Sequence, residues 1–314
     1  MSSFYNDNDP FAVEWMRNLI RDGVIDDGRV DDRSVTEISA ADVLGYRHCH
    51  FFAGIAGWAK AFRIAGLTGV SGVWSASLPC QPVSSAGKRH GASDERHMWP
   101  EFYPLISECK PAAIFGEQSA SHDGRDWIDG VSLDLEELDY AVAAADLPAC
   151  SVAAPHKRQR LYWVAWNTDT QSEFARWCRA SVGDAMCTRL EGLAGNGDAK
   201  SESRRKNPQQ NRPASETGPW YDFRIVTSGD GKSRRIGAGV EPVDHGIPAS
   251  VAHVVARLQQ LGHSPAEAKR IVSDARANRK GRIRGYGNAI VPELAATFIR
   301  AARESISNFI DPTC

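Results

Sequence analysis

The chain lacks every feature that would place it in a membrane or outside the cell. No apolar run approaches the roughly 20 residues needed to cross a bilayer, and the opening MSSFYNDNDP has neither the basic region nor the hydrophobic stretch of a signal peptide. The expectation is a cytoplasmic protein with no membrane contact. Cysteine is sparse, seven in 314 residues with no CxxC pair, which argues against a disulfide framework and against a zinc cluster. His90, His97 and His122 are irregularly spaced, so no metal site is expected either. No internal repeat is visible. The chain also lacks a strong net charge, its formal value being -2, so bulk attraction does not select a polyanionic partner. The distribution says more than the sum. Asp7, Asp9, Asp22, Asp26, Asp27, Asp31 and Asp32 crowd the N-terminal stretch, whereas basic clusters stand at Lys157–Arg160, Arg204–Lys206, Lys232–Arg235 and Lys269–Arg284. Such clusters suit either a phosphate backbone or a solvated surface.

What is present is enough apolar residue, 42%, to bury a full core. From residue 48 the pattern alternates. HCHFFAG reads as a buried strand ending in glycine, and GWAKAFRIAG puts Trp58, Ala61, Phe62 and Ala65 on one helical face. GVWSASL is a second strand, and MWPEFYPLISEC a second helix with Pro100 near its first turn. AAIFGEQ is a third strand and DWIDGVSLDLEEL a third helix. Strands YAVAAADL and LYWVAW then flank PHKRQR. Alternating strands and helices predict an α/β fold, a mostly parallel sheet covered on both faces. From about residue 167 to 246 the chain turns rich in Gly, Ser, Asn, Arg and Asp, and reads as a loop-rich insertion. Two helices follow, SVAHVVARLQQLG and SPAEAKRIVSDARAN, the second opened by a Ser264/Glu267 capping box. GYGNAIVPELAATFIRAARESI reads as a glycine-rich turn leading into a last helix.

Ligand sites in open α/β sheets lie at the carboxyl ends of the strands. Four features fall there: FAGIAGW, PCQP, GEQ and PHKRQR. In content and order they resemble the motifs of the DNA cytosine-C5 methyltransferases. FAGIAG at Phe52 to Gly57 is similar to the family's FxGxGG, and Pro79-Cys80-Gln81 with the following SSAGKR to its PCQ motif. Gly116-Glu117-Gln118 is similar to ENV, His156 to Arg160 to QxRxR, and Gly287-Asn288-Ala289 to the closing GNA. The resemblance covers residues 48 to 166 and 285 to 300.

It implies a Rossmann-like fold dependent on S-adenosylmethionine and a role for each matched residue. Cytosine C5 is too weakly nucleophilic to take a methyl group directly; adding a thiolate at C6 makes C5 enamine-like, and Cys80 is the candidate nucleophile. Glu117 fits a proton donor to N3. Arg158 and Arg160 lie two apart, so in an extended segment they point the same way, and the resemblance assigns them to the base's O2 and the catalytic loop; by composition alone phosphate binding is an equal reading. Phe52, Ala53, Gly54 and Asn288 fall on the cofactor's methionine side. The partner implied is double-stranded DNA, whose target base must be extruded into the pocket. Gln81, Ser84, Lys88, Arg89 and Arg96 are the candidate DNA contacts.

The largest departure is an absence between Gly57 and Pro79, where the family places two further βα units that bind the adenosine. The expectation is therefore a shortened sheet with no identifiable adenosine half-site. An N-terminal segment, with DPFAVEWMRNLI as a helix and RSVTEI as a strand, could fill the vacant side and offer Glu37 or Asp42. The alternatives are a different one-carbon donor such as methylene-tetrahydrofolate, and a non-catalytic DNA-binding relative. Ala56 also replaces the second motif glycine, with Val83, His156 and Gln118 as lesser departures. The expected layout is an N-terminal extension at 1–45, a catalytic domain at 46–166 and 285–314, and a small target-recognition region at 167–284. Compact relatives of this kind occur in phages, so the setting implied is the cytoplasm of a bacterium or a phage-infected host.

Overall fold

A strand covered on both faces is buried at successive positions rather than at alternate ones, and three segments of the chain have that character. β1 (Ser3–Asn6), β3 (His48–Phe51) and β4 (Val73–Ala76) are four residues each and buried at every position. They lie in a computed structural model that describes residues 2–79, 98–154, 156–169, 171–186, 223–227, 233–237, 258–259 and 261–311. With β2 (Gly28–Asp31), β5 (Ala113–Ser119), β6 (Tyr140–Pro148) and β7 (Gln159–Asn167) they form one sheet, ordered β2-β1-β3-β4-β5-β7-β6. The first five strands pair in parallel; β7 is antiparallel to both β5 and β6. The Rossmann-like α/β class holds. The shortened sheet does not: β1 and β2, from the N-terminal stretch, occupy the side expected to be vacant.

Helices cover both faces. On one lie α1 (Pro10–Arg21), α3 (Gly57–Ala65) and α6 (Glu173–Met186), with the C-terminal helix, Pro292–Ile310. Trp58, Phe62, Phe115, Tyr162, Phe174 and Phe298 form the core there. On the other lie α2 (Ala40–Val43), α4 (Trp99–Cys109) and α5 (His122–Glu136), around Phe51, Trp74, Phe102, Ile106 and Trp163. Phe174 and Cys178 are both buried in the first core, so α6 belongs to the body of the sheet. β8 (Phe223–Thr227) and β9 (Ser233–Gly237) make a separate antiparallel pair. No helix among the described residues is long and apolar enough to cross a membrane.

Two local readings change. RSVTEI is not a strand: Ser34 and Glu37 close a capping box and Val35–Glu37 winds into a 3-10 turn, a local hydrogen-bonding alternative that overrides the β-branched residues. The glycine-rich GYG is not a turn either. It continues α7 (Pro265–Asn288), and the C-terminal helix is α8. Gly285, and Gly281 one turn before it, serve close approach, because a Cβ on Gly281 would sit 2.4 Å from the Phe11 ring and one on Gly285 3.0 Å from Ile55. The expected domain boundary at 284/285 thus falls inside one continuous helix.

The sheet also buries a polar row. His48 Nε2 faces the Leu67 and Val70 carbonyls at 3.2 and 2.8 Å, so it must be the protonated nitrogen of a neutral ring. His50 Nδ1 meets Ser75 Oγ at 2.7 Å, and its ring stacks on Tyr5. Burial pushes both imidazoles below their ordinary range. An unfolded chain takes up protons below about pH 6.5 that these rings refuse, so folding stability falls as pH drops through that value, by up to about 1.4 kcal/mol per pH unit for each ring. Urea unfolding at pH 7.5, 6.5 and 5.5 checks this. His50→Phe is less stable than the wild type at pH 7.5, and the difference narrows towards pH 5.5; a difference that stays constant with pH would contradict the assignment.

Candidate active site

The order of strands decides where a crevice can open. The chain runs from β1 outward to β2, returns to β3 on β1's other side, and then proceeds to β4 and β5. Connections leaving β1 and β3 therefore diverge, and the gap above their carboxyl ends is the switch point at which doubly wound sheets bind ligands.

Asp7 follows β1 directly. Its Oδ2 accepts from the Gly54 N–H at 2.7 Å and its Oδ1 from the Asp9 N–H at 2.9 Å, which ties the two strand ends together. Burial pushes the Asp7 carboxyl above its ordinary range, opposed by those two N–H groups. After β3, Phe52, Gly54 and Ala56 all have positive φ, 49°, 55° and 60°. The replaced motif glycine thus keeps a glycine-like backbone, at a cost of about 1–2 kcal/mol for an L-residue. Trp58 then donates from Nε1 to Ser77 Oγ at 3.1 Å, linking this loop to the end of β4.

Glu117, Arg158 and Arg160 meet at the neighbouring strand ends. Glu117 pairs with Tyr162 across β5 and β7, and Ser119 with Arg160, so the alternation of the strands puts Glu117 and Arg160 on one side; Arg158 stands just before β7 and lines the same cleft. Arg160 Nε lies 2.7 Å from Glu117 Oε1. Glu117 is only 9% exposed; burial raises its carboxyl above the ordinary range, and the two guanidiniums oppose the rise. Arg158 donates from Nη1 to the Gly287 carbonyl at 2.7 Å, which draws the end of α7 over the site. It holds a φ of 26°, and its Nε is buried without a partner; strain and an unsatisfied donor of this kind collect at functional sites.

Phe52, Ala53, Gly54, Glu117, Arg158, Arg160 and Asn288 line one cleft of about 590 Å³, and Pro79 lines it too. Cys80, Gln81, Ser84, Lys88, Arg89 and Arg96 lie outside the described residues. The acid that sequence reasoning missed is Asp7, which also lines the cleft. Its signal was a carboxylate placed straight after the short, aromatic-centred SFYN. Glu37 and Asp42 do not line it: Glu37 caps Ser34, and Asp42 is held by Ser39 and Arg33. A cavity of about 630 Å³ opens at the opposite ends of the strands, among Ser2, Asp26, Arg47 and Thr68. It lacks the convergence of buried acid and guanidiniums seen in the cleft. Among the described residues, His122, Asp123 and Asp126 cluster on the exposed start of α5; nothing else there points to an ion.

Residues 70–217 match the family model for C-5 cytosine-specific DNA methylase. The match agrees with the resemblance carried by the sequence motifs. Type II methyltransferase M.HhaI of Haemophilus parahaemolyticus is 34% identical over 30% of this chain and 30% of its own length. M.AplI of Arthrospira platensis is 34% identical over 29% of the chain and 27% of its own. Each match thus spans less than a third of these relatives. M.DsaV of Dactylococcopsis salina is 24% identical over 76% of the chain and 69% of its own length. Among solved structures, the Entamoeba histolytica methyltransferase EhMeth is similar at 18% identity and a TM-score of 0.38, covering 54% of this chain and 46% of that one.

In the cleft the Arg160 guanidinium opposes the burial that raises the Glu117 carboxyl. Arg160→Met removes it, and the Glu117 carboxyl moves further up, towards the neutral form. A carboxyl whose folded-state pKa rises above its unfolded value loses stability as pH climbs between the two. Relative to the wild type, Arg160→Met is therefore destabilised more at pH 8 than at pH 5.5, and adding Glu117→Gln removes the difference. Urea midpoints at the two pH values test it, and an Arg160→Met penalty independent of pH would refute it.

Proposed function

We propose that the protein is a DNA cytosine-C5 methyltransferase acting on a flipped cytosine through a Cys80–C6 bond, with S-adenosylmethionine in the crevice between β1 and β3. The observation that carries this reading is the convergence of a buried carboxyl and two guanidiniums at adjacent strand ends, beside the Pro79 that leads into Cys80. A thiolate adding to C6 pushes the ring's electron pair towards C5 and raises the basicity of N3. Burial raises the Glu117 carboxyl, so it takes up a proton more readily than an exposed glutamate and can share that proton with N3. Arg160 and Arg158 offer donors to the base's O2, and the Gly287 carbonyl holds Arg158 in place. The base reaches these groups by leaving the duplex. Gln81, Ser84, Lys88, Arg89 and Arg96 follow Cys80 in sequence and are assigned to the DNA.

The crevice fits a cofactor carrying a nucleoside. Its volume lies within the roughly 300–1,000 Å³ of small-molecule sites. A carboxylate has about four acceptor positions, and Asp7 uses two on backbone N–H groups, which leaves capacity for ribose hydroxyls. Gly54 is open, with nothing within 4 Å of where a Cβ would lie, and Phe52 supplies an apolar wall. Asp7 would hold the ribose, and the Phe52–Gly54 loop with Asn288 the methionine part. When bound, S-adenosylmethionine supplies an electrophilic methyl group. The ground for a different one-carbon donor was the absence of the adenosine-binding motifs, since thiolate addition to a pyrimidine also serves folate-dependent enzymes; Asp7 in the crevice supports S-adenosylmethionine over that alternative.

Duplex DNA carrying 5-fluorocytosine at the target position, incubated with S-adenosylmethionine, forms a covalent complex that survives denaturing electrophoresis and is absent with Cys80→Ala. Failure of the wild-type protein to form it, on a library of duplexes covering short target sequences, would sink the reading. The cofactor assignment has its own test by calorimetry. Asp7→Asn weakens S-adenosylmethionine binding about tenfold or more, the scale of one hydrogen bond to a charged group, whereas Glu37→Ala and Asp42→Ala leave it unchanged. Equal affinity in Asp7→Asn and the wild type would remove Asp7 from the site.

A further inference from the structure

α7 is 24 residues long and strongly basic. At 100° per residue, Lys269, Ser273, Ala277, Lys280 and Arg284 fall within an arc of about 80°, with Arg270 just beyond it. All six are exposed. The helix's acids lie elsewhere: Glu267 closes the capping box with Ser264, and Asp274 sits outside the arc. Arg284 pairs with Asp9. Among the described residues no carboxylate pairs with Lys269, Arg270 or Lys280. Uncompensated like charges along one face are mutually repulsive, so this arrangement lowers the stability of the free protein and needs a reason outside it.

We infer that this arc of α7 tracks the phosphates of duplex DNA leading into the cleft. The helix ends at the cleft itself, which Arg284, Gly285, Gly287 and Asn288 line, so its outer arc continues the path by which a base must arrive. Lys269 and Arg284 are 15 positions apart, about 22 Å along a helix axis, or the span of about six phosphates on one strand at about 3.4 Å each. The residues between the cations are Ser273 and Ala277, small enough to let a backbone approach. No large apolar side chain stands in the arc, so a membrane surface, which needs one, is a poorer partner. The contact is to phosphate alone and so positions the duplex without reading its sequence. The inference rests on the reading of the cleft as a DNA-modifying site.

The test is duplex affinity by fluorescence anisotropy across a salt series, with the full chain and an unmodified duplex of random sequence. Each phosphate contact contributes about 0.9 to the slope of log affinity against log salt. The triple variant Lys269→Gln/Arg270→Gln/Lys280→Gln reduces that slope by about 2 to 3 and weakens binding at least tenfold at low salt. Lys269→Arg/Lys280→Arg keeps both, and Arg282→Gln, on the far side of the helix, leaves the slope unchanged. All are exposed positions, and circular dichroism verifies that each variant is folded. A triple variant with wild-type slope and affinity overturns the inference, and, if the wild-type protein still forms the 5-fluorocytosine adduct, leaves the reading of the cleft standing. Absence of that adduct in the wild-type protein sinks the cleft reading and this inference with it.

Discussion

The site depends on one pairing, that of β1 with β3. β1 is only four residues long, yet it hydrogen-bonds to a strand on each side and is buried throughout. Its side chains add to the lock: Tyr5 donates to the Asp26 carbonyl at 2.7 Å and Asn6 to the Arg33 carbonyl at 2.8 Å, which fixes β2's approach and exit. Parallel pairs need crossovers, and those leaving β1 and β3 diverge because the strand order reverses between them, so joining β1 to β3 creates the crevice in the same act that closes the sheet. Asp7 arrives beside Gly54 as a consequence of register, since Asn6 opposes Phe51 and the next residues of each strand are Asp7 and Phe52. Were β1 absent, β3 would be a bare edge and the cleft would lose one wall.

At the neighbouring strand ends, opposite demands on Glu117 are balanced. Burial alone would keep the carboxyl neutral; Arg160 and Arg158 alone would keep it ionised. The guanidiniums are themselves crowded and half-buried, and Arg158 is pulled below its ordinary range by burial and by Arg160. A buried ion pair of this sort stabilises a fold weakly at best, which makes stability a poor explanation for its presence. Arg158's left-handed backbone and orphaned Nε add further cost. Three unfavourable features gathered at one place are better understood as preorganisation for a charged or polar ligand.

From residue 48 onward the strands and helices were legible because each carries its own pattern: HCHFFAG is an aromatic-rich run ending in glycine, AAIFG is a continuous apolar run, and Trp58 and Phe62 recur at helical spacing. Glu117, Arg158 and Arg160 were legible from motif order, and the alternation of a strand predicted that the two arginines share a side. The N-terminal strands were not. SFYN is too short to show a period, and GRVD contains one apolar residue; each is a strand because of what it pairs with, and β-propensity is mostly such context. Their aspartates looked like a solvated acidic stretch for the same reason. The capping box at Ser34 and Glu37 was there to be read, but the β-branched Val35, Thr36 and Ile38 around it pointed to a strand. Gly285 was taken with Gly287 for a turn, when Gly285 and Gly281, four apart, mark a helix pressed against Ile55 and Phe11.

Those two glycines connect the crevice to the basic helix. Phe11 and Trp15 stand on α1, the helix that follows Asp7, and Trp15 meets Tyr286 edge-on at 5.6 Å while Asp9 pairs with Arg284. α1 therefore docks on α7 along one line, from the Gly281 contact to the Tyr286 ring, and the cleft lies at the end of that line. Its walls come from stretches far apart in the chain, near residues 7–12, 52–58, 77–79, 117–119, 158–160 and 284–290. None can close it alone, so the crevice exists only when both ends of the chain are seated on β3 and its loop. A group that fills the crevice and touches Asp7, Gly54 and Asn288 together stabilises that seating by mass action. The same seating sets the direction in which α7 leaves the cleft, and with it the line along which Lys269, Lys280 and Arg284 face the solvent.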